Sequence, residues 1–238
     1  MVFCSENYYR IPRICNIRER LLVNSNLLWT QGQGLLLIFT LLFMLSPYFS
    51  KKIFGLILCL FIFTVWFFRN PERFPDPQVQ TTSILSPSDG KVVDVQDRKI
   101  SIFLSPLDVH VNWCPIAGII NRVTHTRGQF LPAYKAESSR VNENNEIEII
   151  NDHGQSLVVK QVAGTVARRI VCWVEKNEQV SRGQKYGMIK FGSRIDILFP
   201  ENVELYVEKG QRVYGGETII GSFLWESQKD FSKNMQKK

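Results

Sequence analysis

Apolar and polar positions divide the 238-residue chain into two parts with different periods. In the first, Leu35 to Leu45 is almost wholly apolar and Ile53 to Phe68 carries no charge, with Ser46, Pro47, Ser50, Lys51 and Lys52 between them. Two runs that are apolar on every side, separated by a proline turn, predict a helical hairpin over residues 27–70. The second run, about 16 residues or ~24 Å as a helix, is shorter than the ~20 residues of a full membrane crossing. Two tight spans and a hairpin set into one leaflet both fit this length. A cleaved signal peptide does not, because the apolar region starts late, is double and has no small-residue cleavage site after it. A basic segment, residues 1–26 with Arg10, Arg13, Arg18 and Arg20, precedes the hairpin, and Arg69 and Arg73 follow it. Positive charge on both outer flanks predicts that both ends face the cytoplasm.

The second part begins at Phe67–Pro77, FFRNPERFPDP, where charge and prolines stop the apolar run. From there to residue 238 short β-type runs alternate with turns. Val92–Val95, Ile100–Leu104, Glu146–Ile150, Ser156–Val162 and Arg194–Phe199 read as strands, Asn151–Gln155 as a hairpin turn, and Pro106–Asp108 as a helical turn. Val180-Ser-Arg-Gly183-Gln184 and Val207-Glu-Lys-Gly210-Gln211 form a weak repeat, each followed by Tyr, Gly and an apolar strand. Such Val-x-x-Gly turns suit a mainly β, barrel-sandwich-like domain with short helices.

Composition changes this picture little. Lys and Arg exceed Asp and Glu by 29 to 22, a net charge of +7, which suits an anionic membrane or a nucleic acid equally. The aromatics choose: Phe39, Phe43, Phe54, Phe61, Phe63, Trp66, Phe67 and Phe68 lie in the apolar hairpin, and no basic-aromatic stripe exists elsewhere. Cys4, Cys15, Cys59, Cys114 and Cys172 make no CxxC pair, so neither a zinc site nor a disulfide framework is indicated and no metal is expected. His110, His125 and His153 are the only imidazoles.

Three segments could carry chemistry. In Ser86-Pro87-Ser88-Asp89-Gly90-Lys91 the Asp-Gly pair is first of all a turn. In Phe103–Pro115, FLSPLDVHVNWCP, Asp108 and His110 stand two apart, so on a strand both would face one side and the carboxylate would orient the imidazole. A surface pair is the plainer alternative. In Lys190–Pro200, KFGSRIDILFP, Gly192-Ser193 opens a strand, and glycine leaves its carbonyl open to the neighbouring hydroxyl. Gly221-Ser222 shows that the pair alone proves nothing. Met188-Ile189-Lys190-Phe191 faintly echoes the lysine hairpin of biotinyl and lipoyl carriers, so a membrane-tethered carrier modified on Lys190 is the competing reading.

FFRNPER, the SDG turn, FLSPLDVHVN, VAGTVARRIVC, GQKYGMIKFGSRID and VYGGETIIG, in this order from about Phe67 to Ser222, resemble the short, membrane-bound class of phosphatidylserine decarboxylase. The resemblance implies a proenzyme in which Ser193 attacks the Gly192 carbonyl. It implies cleavage into a large chain, 1–192, and a small chain, 193–238, within a catalytic region spanning 71–238. Ser193 would become a pyruvoyl cofactor that forms a Schiff base with phosphatidylserine, releasing CO2 and phosphatidylethanolamine. It further implies that Asp89 serves self-cleavage, that His110 serves decarboxylation as a proton donor, and that Asp108 orients His110. The two chains would stay together as a heterodimer, with further dimerisation left open, at the cytoplasmic face of the cell membrane. Arg168, Arg169 and Arg194 are candidates to hold the substrate's phosphate or carboxylate, with solvated strand edges the alternative. One departure stands out: longer relatives carry a second histidine as cleavage base three residues beyond the position of His110, and here that place is Trp113. Either His110 serves both steps or the turn at Gly192 needs less help.

Overall fold

The computed structural model describes residues 27–45, 48, 50–73, 80–133, 135, 137–165, 169–190 and 192–224. The basic segment 1–26, part of the proline-rich stop and the last residues of the chain lie outside this set. The chain divides into two units, residues 1–70 and 71–238.

In the first unit the apolar runs form two helices, α1 (Leu27–Met44) and α2 (Lys51–Phe67). Ser50 caps α2, its hydroxyl accepting from the Ile53 N–H at 3.5 Å, while Lys51 and Lys52 sit in the first turn. The helices meet through aromatic edges: Phe39 on Phe61 and Phe43 on Phe61 at 5.6 Å between ring centres, and Phe43 on Phe54 at 6.0 Å. Away from this seam large apolar side chains are bare; Leu37, Leu41, Leu56 and Ile62 are each more than half exposed. No helix among the described residues is long and apolar enough to cross a membrane.

The second unit is built of strands: β1 (Ser83–Leu85), β2 (Gly90–Gln96), β3 (Lys99–Leu104), β4 (Val111–Trp113), β5 (Gly118–Thr126), β6 (Asn144–Ile150), β7 (Ser156–Ala163), β8 (Arg169–Cys172), β9 (Gln179–Val180), β10 (Lys185–Lys190), β11 (Ser193–Leu198), β12 (Val203–Leu205), β13 (Arg212–Val213) and β14 (Ile219–Phe223). Eight of them form one antiparallel sheet in the order β13-β2-β3-β11-β7-β6-β5-β9, beside two three-stranded sheets, β1-β14-β12 and β4-β10-β8. The mainly β expectation holds, and the five strands read from the sequence lie within a residue or two of β2, β3, β6, β7 and β11. Alternate residues of these strands, Ile100, Ile102 and Leu104, Ile147 and Ile149, Leu157 and Val159, Ile195 and Ile197, fill the core.

The repeat is structural. Gly183 and Gly210 take φ of +77° and +98°. In each copy the glutamine side chain accepts from the main chain three residues back, Gln184 from the Ser181 N–H at 3.0 Å and Gln211 from the Glu208 N–H at 3.1 Å. Glycine is required here for its left-handed backbone.

One expectation fails. Pro106–Asp108 is a turn closed by the Asp108 N–H on the Ser105 carbonyl at 2.9 Å, not a helix, and it holds Asp108 and His110 off any strand. The short helix α3 (Ser138–Val141) had no sequence signal.

β11 lies between β3 and β7, with six residues paired on each side, Ser193 opposite both Leu104 and Ala163. The face of β11 opposite Ile195 and Ile197 is also buried and carries an ion pair. Arg194 and Asp196, two apart on the strand, meet at 2.7 Å, and Arg194 also donates to Ser101 Oγ at 2.7 Å. Ser139 donates to Asp196, and Lys99 lies 3.4 Å from it. Burial pushes the Asp196 carboxyl up, but Arg194 and the Ser101 and Ser139 hydroxyls together hold it below the usual carboxylate range. A depressed carboxyl stabilises the fold above its unfolded pKa, about 3.9, and that stabilisation is lost as pH falls through the lower folded value. Asp196→Ala is therefore expected to cost ~3 kcal/mol at pH 7, since it strands a buried guanidinium. In chemical denaturation the gap to the parent should narrow once pH falls below about 4.

Candidate active site

Strand register brings the candidate residues to one end of the large sheet. Lys91, Phe103 and Arg194 lie in one row across β2, β3 and β11. One step on, Leu104 pairs with Ser193, Gly90 opens β2, and Asp89 and Gly192 are the residues just before β2 and β11. His110, the residue just before β4, joins them, its carbonyl accepting from the Ile189 N–H at 3.2 Å, near the end of the strand that leads to Gly192.

Gly192 has φ of +53°, and a Cβ built on it would meet nothing within 4 Å. Ser193 follows at once, fully buried, with no hydrogen-bond partner for its hydroxyl among the described residues. A buried hydroxyl normally finds a partner, so this one sits at a cost of ~1–3 kcal/mol beside the Gly192 peptide.

His110 is fully buried. Its Nδ1 lies 2.9 Å from the Asp108 carbonyl oxygen, which only accepts, so Nδ1 carries a hydrogen and Nε2 is the ring atom able to exchange a proton. This corrects the expectation for Asp108. The main-chain carbonyl orients the imidazole, while the carboxylate accepts from the Ser105 N–H at 2.8 Å and pairs with Arg212. The turn at Ser105–Asp108 is the cause: without a strand, a spacing of two no longer puts both side chains on one face.

Asp89 is buried in a clamp that the sequence did not reveal. Arg73 embraces it with both terminal nitrogens, Nη1 on Oδ1 and Nη2 on Oδ2, the latter at 2.9 Å. Arg73 also donates to the Gly215 carbonyl at 2.7 Å, and the Gly215 N–H returns to Asp89 at 2.9 Å. The guanidinium lies 4.7 Å from the ring centre of Trp113, a cation–π stack. Gly215 packs so closely on that ring that a Cβ there would overlap it. Four of the quoted segments thus meet at one point: Arg73 from FFRNPER, Asp89 from the SDG turn, Trp113 beyond VHVN and Gly215 from VYGGET. Removing one partner of so buried a pair leaves a charge uncompensated. Arg73→Gln should lower stability by ~3 kcal/mol, measured as a shift in denaturation midpoint.

The three arginines fare differently. Arg194 is buried and engaged by Asp196 and Ser101, so it is a structural cation and not a substrate ligand. Arg169 is exposed at the start of β8, in register opposite Lys190 of β10. Burial and the neighbouring Arg169 lower the pKa of Lys190. Arg168 lies outside the described residues.

Residues 60–221, well over half of the chain, match the family model for phosphatidylserine decarboxylase. The chain belongs to the phosphatidylserine decarboxylase family. It is 48% identical over 179 residues to the phosphatidylserine decarboxylase proenzyme of Carboxydothermus hydrogenoformans, covering 70% of this chain and 82% of that one. It is 41% identical over 174 residues to the proenzyme of the same name from Desulfotalea psychrophila, covering 68% and 80%. A relative in Methanosarcina barkeri, named an archaetidylserine decarboxylase proenzyme, is 46% identical over 160 residues, covering 67% and 77%. Membership of the phosphatidylserine decarboxylase family makes the chain a decarboxylase proenzyme and sets aside the carrier reading on Lys190.

Proposed function

We propose that the chain cuts itself at Gly192–Ser193, converts Ser193 to a pyruvoyl group and decarboxylates serine phospholipids at a membrane surface. The observation that carries this is the buried Ser193 hydroxyl, without a hydrogen-bond partner among the described residues, next to a glycine at φ +53° with open space where a Cβ would stand. These residues fit the making of a pyruvoyl group, since the hydroxyl needs a bare carbonyl and no competing hydrogen bond. Ser193 Oγ adds to the Gly192 carbonyl carbon, its proton leaves to a base, and the C–N bond breaks as the nitrogen takes a proton. The ester then loses the Ser193 Cα proton and the Gly192 carboxylate. The remaining enamine, after tautomerisation, takes up water and releases ammonia.

Once formed, the pyruvoyl group would supply an electrophilic carbonyl that takes the substrate amine and accepts the electrons freed with CO2. The chain's own residues do the rest. Nε2 of His110, oriented through Nδ1, returns a proton to the substrate carbon. Asp89, fixed by Arg73, shapes the SDG turn beside the cleavage site. Arg169 and Lys190, in register on β8 and β10, present positive charge near the sheet end and hold the substrate's phosphate. Relatives named for phosphatidylserine and for archaetidylserine are each similar to about two thirds of this chain, which supports a site that reads the shared serine head and not the tails.

The hairpin is the anchor in this reading. Its bare apolar side chains suit insertion into one leaflet, which the length of its helices favours over a crossing. The basic flanks support the cytoplasmic face, and in this reading the two fragments remain a heterodimer. Intact-mass analysis of the full chain in detergent should give fragments ending at Gly192 and beginning at a blocked residue 193. CO2 release from phosphatidylserine in micelles should accompany them. An uncut chain that still releases CO2 would refute the proposal. Activity on phosphatidylserine vesicles should fall as salt rises. Equal turnover of a soluble short-chain analogue at every salt concentration would count against the anchor.

A further inference from the structure

The last pair between β7 and β11 is Ala163 opposite Ser193, so the next residues outward are Gly164 and Gly192. A Cβ built on Gly164 would overlap the Gly192 carbonyl oxygen and lie 3.1 Å from both the Gly192 carbonyl carbon and Ala133 Cβ. The oxygen of the bond to be broken therefore occupies the place of the side chain that Gly164 lacks. The two glycines do different work. Gly192 is needed for its left-handed backbone, with nothing crowding it; Gly164 is outside the positive-φ set and is needed for space alone.

The wall behind Gly164 is braced. The Ala163 carbonyl accepts from Asn142 Nδ2 at 2.7 Å, and the Ala163 N–H donates to Glu143 at 2.9 Å. Asn142 is itself buried and exchanges two bonds with Leu131, at 2.9 and 2.7 Å. With Ala163 held on both sides, a methyl group at 164 would push on the Gly192 carbonyl.

We propose that Gly164 is a positioning residue for self-cleavage: its missing side chain seats the Gly192 carbonyl oxygen and so keeps the carbonyl carbon in reach of Ser193 Oγ. The inference rests on the cleavage reading above. Gly164 makes and breaks no bond; it sets the orientation of the acceptor in the first addition.

The test is a time course of intact mass on freshly purified full-length Gly164→Ala. Gly221→Ala is its control, since its new Cβ meets the Glu204 carbonyl oxygen at 2.5 Å in the sheet of β14 and β12. Misplacing a reacting group by about 1 Å costs roughly 10²-fold, and that slowing is expected for Gly164→Ala. Gly221→Ala should cleave at the parental rate despite a comparable loss of stability. Hydroxylamine should free no additional small chain from Gly164→Ala, because the block precedes the ester. Parental cleavage by Gly164→Ala, slowing of both variants in proportion to lost stability, or hydroxylamine-released fragment would each overturn the proposal. Should the single variant fail to fold, Gly164→Ala with Ala133→Gly relieves the other close contact. It should fold and still cleave slowly, and parental speed in it also overturns the proposal. A parent chain that never splits at residue 192 would instead sink the cleavage reading itself.

Discussion

Ser193→Ala is expected to remain one unbroken chain and to release no CO2 above assay background. The parent hydroxyl has no hydrogen-bond partner among the described residues, and alanine removes the only atom of that side chain able to add to the Gly192 carbonyl. Neither the strand nor its pairing should suffer, because Ser193 lies in the β3-β11-β7 ladder through its backbone and a methyl group occupies less room than the side chain it replaces. The folded, uncut protein should therefore show parental β content by circular dichroism and a parental or higher melting point. Cleavage in this variant would move the scissile bond elsewhere. CO2 release from it would mean that the carbonyl cofactor does not come from residue 193.

The second large effect is expected from His110→Gln. Per cleaved molecule, kcat should fall by ~10²–10⁴, the usual contribution of a positioned acid–base group. KM should change far less, since the lost interaction belongs to the transition state. Glutamine keeps a donor for the Asp108 carbonyl but cannot carry a proton in and out of the site. The same samples decide the identity of the cleavage base. Trp113 cannot serve, because indole nitrogen only donates, and Asp89 is held in both arms of Arg73. If the cleaved fraction falls together with turnover, His110 serves both steps. Parental kcat in cleaved His110→Gln would remove the histidine from the mechanism.

The strands of the large sheet were legible because alternation is a local property: Ile100-Ser-Ile-Phe-Leu104 and Ser156–Val162 declare their buried faces without reference to any partner. Ser193, Asp89 and His110 stand out in the sequence as candidates, but what holds them does not. The spacing-of-two rule was applied to Asp108 and His110, where Pro106 and the turn defeat it. It applies instead to Arg194 and Asp196, which lie on a true strand and pair on its buried side. Arg73 stood in a quoted motif without a task. Its partners lie 16 and 142 residues away, a separation that no local pattern encodes. A charged residue beside a proline-rich stop, in a segment with the family's motif, was the one available signal. Gly164 was hidden for another reason: the need for empty space is invisible until the carbonyl that fills it is placed.

The position of β11 has a consequence for the life of the enzyme after the cut. The precursor folds as one polypeptide, so its recovery from denaturant is unimolecular and independent of dilution. The mature form would contribute β11 from one polypeptide and both flanking strands, β3 and β7, from the other. Native dissociation would then mean tearing out a strand from the middle of a sheet, and should be very slow. Once it has happened, regain of structure becomes a second-order encounter between two pieces, neither of which has a complete core. Such an enzyme is assembled once and is durable by kinetics more than by equilibrium.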